Sequence, residues 1–214
     1  MMTGLTENEM TILQKTNLLV LFVLALGLLG CDTAPTPAGN TASQPKANEF
    51  ETGRFALQKL LPSAHMWSPD AAPVQLSSVA TSESNGHDGK SGTWRAVFAS
   101  GGRQKSEPFI WSGMADAERR VDHGVEDVFN PANRSTQPWD LNFLKVDTDE
   151  AFKVAQQHGG SKLLDKDPKT QVTYLLDYDP LSSQLRWHVM YASESAGRLT
   201  VLVDASSGSF LRKE

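Results

Sequence analysis

Trp94-Arg95-Ala96-Val97-Phe98-Ala99-Ser100 and Trp187-His188-Val189-Met190-Tyr191-Ala192-Ser193 begin on tryptophan, end on Ala-Ser and carry an aromatic residue at the fifth position. Both alternate with the two-residue period of a half-buried strand. Trp94, Ala96 and Phe98 fall on one face, as do Trp187, Val189 and Tyr191. A pattern that recurs within one chain suggests a repeated supersecondary unit, so the flanking residues decide the fold.

Outward from the second copy, Asp147-Thr148-Asp149-Glu150 supplies an N-cap with acids in the first helical turn. A helix through Ala151, Phe152 and Ala155 is expected to stop at Gly159-Gly160. Gln171–Asp177, the Trp187 strand and Leu199–Val203 then form a meander, with a last turn at Ser206-Ser207-Gly208 before Phe210. Around the first copy, Leu57, Leu60, Leu61 and Ala64 have helical spacing, and Pro62 is expected to kink or end that helix. Pro73–Val79, Thr93–Ala99 and Glu107–Trp111 read as its strands; within residues 114–129, Ala115–Arg120 favours helix locally, while Val121, Val125 and Val128 could serve helix or strand. Thr81–Gly92 reads as an exposed loop and Asn130–Pro138 as a turn between the halves. The fold expected is α+β: tandem units, residues 49–138 and 139–214, each one helix followed by an antiparallel three- to four-stranded meander.

Ahead of these units lies a different kind of sequence. Leu18–Gly30 is a run of apolar and glycine residues, long enough for the apolar region of a signal peptide and short for a membrane span. It ends Leu28-Leu29-Gly30-Cys31, which resembles the lipobox of bacterial lipoproteins. That resemblance implies cleavage after Gly30, a diacylglyceryl group on the Cys31 sulfur and acylation of the new amino terminus. Residues 1–30 are then the signal peptide. Residues 31–48, rich in Ala, Pro, Thr and Ser, are a flexible tether. Cys31 is the single cysteine, so lipidation leaves no thiol or disulfide chemistry. Met1–Glu9 holds two acids and no base, whereas translation from Met10 would place Lys15 in a cleaner leader. Asp32 resembles an inner-membrane retention signal, a rule that varies between lineages and leaves the choice of membrane open. The expected location is the cell envelope, outside the cytoplasm.

The stretch from Trp187 to Phe210, closing on Asp204-Ala205-Ser206-Ser207-Gly208, resembles the end of a PepSY domain. Asp149–Ala155 resembles the helix that opens such domains. The likeness covers residues 147–214, with a weaker echo over residues 51–113, where the Asp-Ala-x-x-Gly turn is missing. PepSY domains are non-catalytic extracytoplasmic modules proposed to bind or restrain peptidases. The resemblance therefore implies a binding or accessory role, with a protein or peptide partner.

Composition and motifs fit a modest chemistry. A net charge of −5 argues against nucleic acid and against electrostatic adhesion to anionic lipid. None of His65, His87, His123, His158 and His188 sits at zinc-ligand spacing, so no metal and no cofactor is expected. Asp122-His123, near Glu126 and Asp127, is the one acid–histidine cluster. With a serine such as Ser112 it would imitate a hydrolase triad, but no Gly-x-Ser-x-Gly elbow accompanies it. An envelope hydrolase and a purely structural lipoprotein are the alternatives to a non-enzymatic binding protein. Trp94 and Trp187 are expected in the core, Trp111 and Trp139 part-exposed.

Overall fold

The computed structural model describes residues 46–134 and 136–214. Helix α1 (Gly53–Trp67) leads into strands β1 (Ala72–Ser78), β2 (Thr93–Ser100) and β3 (Lys105–Ser112), followed by short strands β4 (Val121–His123) and β5 (Asp127–Val128). A single 3-10 turn (Leu141–Phe143) precedes helices α2 (Thr148–Ala155) and α3 (Ser161–Lys166). Strands β6 (Gln171–Asp179), β7 (Gln184–Ser193), β8 (Gly197–Asp204) and β9 (Phe210–Lys213) complete the chain. The class is α+β, built on one antiparallel sheet in the order β4-β3-β2-β1-β6-β7-β8-β9, with β5 also on β3.

The pleat explains the layering. Trp94, Ala96 and Phe98 of β2 and Trp187, Val189 and Tyr191 of β7 point to one face and are almost wholly buried. There α1 lies over β1–β3 through Ala56, Leu57, Leu60 and Ala64, and α2 lies over β7 and β8 through Ala151 and Ala155. Opposite this layer, Val74, Ala99 and Phe129 make a small separate cluster. The sheet is continuous because β1 pairs with β6, Leu76 opposite Leu176.

The N-termini of α1 and α2 meet at the centre of the covered face. Gly53 N–H donates to Thr148 Oγ1 (3.1 Å) and Arg54 N–H to Asp147 Oδ1 (3.0 Å). Asp147 Oδ1 also accepts from Thr148 N–H at 2.8 Å. Thr52, the residue before α1, makes no side-chain cap, so one carboxylate caps two helices. Glycine is required at position 53, since a Cβ there would lie 2.7 Å from Trp187 Cη2 and 3.2 Å from Trp94 Cη2.

Several expectations are corrected. Helix α1 runs on to Trp67 with Pro62 inside it. Pro62 is exposed, so the carbonyl that loses its amide partner can face water. Gly159-Gly160 interrupts the second helix without ending it. Gly159 adopts φ +116°, Gly160 packs against Tyr191, and helical geometry resumes in α3. Trp111 and Trp139 are 3% and 4% exposed. Trp111 shares the inward phase of β3 and meets Phe55 edge-on at 5.9 Å. The Trp139 backbone N–H donates to Pro73 O at 2.9 Å, and its ring belongs to the main core.

Thr81–Gly92 is no free loop. Gly86 and Gly89 are buried, Asn85 O accepts from Val172 N–H at 2.9 Å, and Gln171 Nε2 donates to Ser84 O at 2.9 Å. The buried Tyr174 hydroxyl donates to Gly86 O at 2.5 Å. The loop therefore extends the β1–β6 seam beyond the strands. Within residues 114–129, the chain returns as β4 and β5 along the outer side of β3.

Candidate functional site

A groove of about 340 Å³ opens where the C-terminal turn of α1 passes the β4 edge. Ser63, Met66 and Trp67 line it from the helix, Glu107 and Phe109 from β3, and Val121, Asp122 and His123 from β4. In β3 the residues facing the helices alternate, Glu107, Phe109 and Trp111. The β4 register sets His123 opposite Phe109 and Val121 opposite Trp111, so both point to the same side.

Glu107 sits at the floor with its side chain 5% exposed, and its Oε1 is held by His123 Nδ1 at 2.6 Å. His123 is 61% exposed on a three-residue edge strand. One wall of the groove carries a second charged arrangement. The Trp67 indole N–H donates to Glu126 Oε1 at 2.8 Å, Arg103 Nη2 donates to the same oxygen at 2.6 Å, and the Arg103 guanidinium lies 4.9 Å over the Trp67 ring. The Trp67 hydrogen bond, against slight desolvation and with the Arg103 charge, holds the Glu126 carboxyl below its ordinary range. Around this groove the apolar residues are unusually open to solvent: Met66 is 82% exposed, Val125 87% and Val128 74%.

The structure places the residues named from sequence as follows. Asp122 and His123 are adjacent on β4, yet the acid on the imidazole is Glu107. Asp122 Oδ1 instead accepts the His123 backbone N–H at 3.0 Å and lies 3.8 Å from Arg119. Ser112 is in the opposite phase of the β3 pleat from Phe109, so it faces away from the imidazole. The Asp122–His123–Ser112 triad is therefore not assembled. Sequence reasoning missed Glu107, although its signal was present: a carboxylate in the inward phase of a strand, two residues before Phe109. Cys31, the expected lipidation site, lies outside the described residues.

Two further arrangements stand apart from the groove, a charged cluster and a ring stack. Arg186 bridges Asp177 (2.9 Å) and Asp179 (2.7 Å), and His188 Nε2 lies 3.0 Å from Asp177. Burial pushes the Asp177 carboxyl up, but hydrogen bonds from His188 and Arg186 hold it below its ordinary range. His158 stacks on Phe210 at 3.8 Å. Among the described residues, no group of three or more His, Cys, Asp or Glu side chains is placed to hold a metal ion, and no helix is long and apolar enough to cross a membrane.

With the fold class and the groove defined, the chain can be set beside known proteins. No family model matches it, and no curated protein does. Among solved structures it is similar to a protein of Clostridium difficile 630 described as a "putative lipoprotein (CD1622)". The TM-score is 0.53 at 13% identity, covering 74% of this chain and 91% of the other. At that identity the likeness is one of fold.

Proposed function

We propose that this chain is a lipid-anchored, extracytoplasmic, non-catalytic binding or accessory protein that recognises or restrains a peptidase or another envelope protein. The leader ending at Cys31 and the short polar tether support the location, and the lipoprotein description of the similar structure agrees with it. The PepSY-like succession over residues 147–214 supports the class, and we read the two halves as divergent helix–meander copies joined edge to edge. The observation that carries the binding role is the β4–β5 edge, an open sheet margin flanked by exposed Met66, Val125 and Val128. A short margin of this kind accepts an extended segment by adding a strand, with backbone hydrogen bonds supplying affinity and the groove supplying selectivity.

A photo-crosslinking amino acid at Val125, activated in intact cells, tests the role. Recovery of a peptidase or another envelope protein supports it; recovery of cell-wall polymer alone favours a structural lipoprotein. Labelled fatty acid incorporated by the wild type and absent from Cys31→Ser tests the anchor.

The Glu107–His123 pair favours a second reading, an envelope hydrolase, with Ser63 lining the same groove. Labelling of Ser63 by a fluorophosphonate, lost in His123→Ala, would establish that reading in place of the first.

A further inference from the structure

We infer that the floor of the β4 groove is a recognition pocket for one basic side chain, lysine or arginine, carried by an extended partner segment lying along β4. The inference rests on the binding role proposed above and specifies what that edge selects.

Backbone geometry gives the delivery. Ser112 N–H donates to Arg120 O and Gly124 N–H donates to Pro108 O, so residues 120, 122 and 124 bond inward to β3. The antiparallel alternation then turns the backbone groups of Val121 and His123 toward the open margin. A strand paired there sends every second side chain to the α1 face, the side of Val121 and His123. That side chain descends between Met66 and Trp67 toward Phe109 and the carboxylate beneath.

Chemistry gives the selectivity. A carboxylate as withdrawn from water as Glu107 is costly unless a cation or strong donor meets it. Its partner here is an imidazole that is itself largely solvated and anchored on a three-residue strand. Such a ring can rotate outward at small cost when a fixed positive charge arrives. The wall already shows the geometry a guanidinium prefers, since Arg103 combines the Trp67 ring with the Glu126 carboxylate. The other charges at the mouth offset one another: Asp122 lies beside Arg119, and Glu126 beside Arg103. Glu107, met by the exposed and displaceable imidazole of His123, is the acid that distinguishes the floor.

The test uses the full lipidated protein in detergent micelles and four blocked peptides, Thr-Val-X-Val-Thr, with X as Lys, Arg, norleucine or Glu. Binding is measured by calorimetric titration. The Lys and Arg peptides are expected to bind about tenfold tighter than norleucine, with Glu weakest, as a charge-assisted contact implies. In Glu107→Gln the Lys preference should fall to about twofold while norleucine binding stays unchanged. His123→Ala, which removes the competing partner, should tighten the Lys peptide; that variant carries the test if Glu107→Gln fails to fold. Equal binding of Lys and norleucine peptides, an intact preference in Glu107→Gln, or weaker Lys binding in His123→Ala overturns the inference. Norleucine binding in those cases would leave the edge itself as a docking margin, whereas no binding by any peptide overturns the inference outright. The Val125 crosslink tests the broader role independently.

Discussion

Strands β2 and β7 can be compared residue by residue, because β2 packs under α1 and β7 under α2. Trp94 Nε1 donates to Glu51 O and Trp187 Nε1 to Val146 O, both at 2.9 Å. Each acceptor lies two residues before the first residue of a helix, Gly53 in one case and Thr148 in the other. At the far end of the strands, Ser100 Oγ donates to Asp70 and Ser193 Oγ to Asp167, both at 2.6 Å. Each of those aspartates stands between the preceding helix and the first strand of its meander. The shared tryptophan and serine therefore fasten the two ends of a strand to the two ends of the helical layer. The shared alanine behaves differently: Ala99 is buried against Val74 and Phe129, whereas Ala192 is exposed. Identity between the two strands carries a common role where the side chain is bonded to the helix layer, and none where it faces the other way.

The largest test of this equivalence is to remove the two rings. Trp94→Ala and Trp187→Ala each empty a fully buried site and remove an indole donor from a backbone carbonyl. Each should cost about 3–5 kcal/mol in urea unfolding, with similar m-values. A loss confined to one of them would show that the two tryptophans are alike in contact and unequal in energy. Gly53 sharpens the point, because both rings close on it. Gly53→Ala should cost about 1–3 kcal/mol through overpacking, in spite of the better helix propensity of alanine.

Asp147 is where the equivalence breaks. The second helix has its own N-cap and the first borrows it, so Asp147→Ala should lower stability by about 2 kcal/mol, the sum of two ordinary caps. Asp140→Ala, which removes a cap from the 3-10 turn alone, should cost well under half as much. Hydrogen exchange is the discriminating measurement. Protection should fall in the first turns of both α1 and α2 in Asp147→Ala, and a change limited to α2 would refute the shared cap.

Much of this architecture is legible in the sequence because it follows from periodicity. Alternation placed Trp94 and Trp187 inward, and Asp147 announced a helix start. What stayed hidden depends on contacts between segments remote in the chain. Nothing local marks Asp147 as the cap of a helix that begins at Gly53. Nothing in the polar run Thr81–Gly92 announces that Asn85 and Gly86 meet Val172 and Tyr174. Pro62 weighed as a helix breaker because its exposed position was invisible. Asp122 drew the eye as the neighbour of His123, yet adjacent residues of a strand point to opposite faces. The imidazole therefore found its acid across the ladder, at Glu107.

The smallest effect concerns the two aspartates that receive the repeated serines. Hydrogen bonds from Ser100, then Ser68 and the Gly102 N–H, hold the Asp70 carboxyl far below its ordinary range. Ser193, the Lys169 N–H and Ser195 act in the same sense on Asp167. A carboxyl whose folded-state pKa is depressed contributes stability above its unfolded pKa, and that contribution disappears as the pH falls toward the folded value. Asp70 is exposed and Asp167 partly so, and each contribution is modest and falls with added salt where charge assists it. Unfolding free energy measured from about pH 6 down to about pH 2 should therefore decline less steeply in Asp70→Asn and in Asp167→Asn than in the wild type. The flattening should be greater for Asp70, whose carboxyl is lowered furthest. Parallel acid limbs in wild type and both variants would mean that the two serine–aspartate clasps set geometry without storing pH-dependent stability, and the likeness of the two strands would then be one of shape alone.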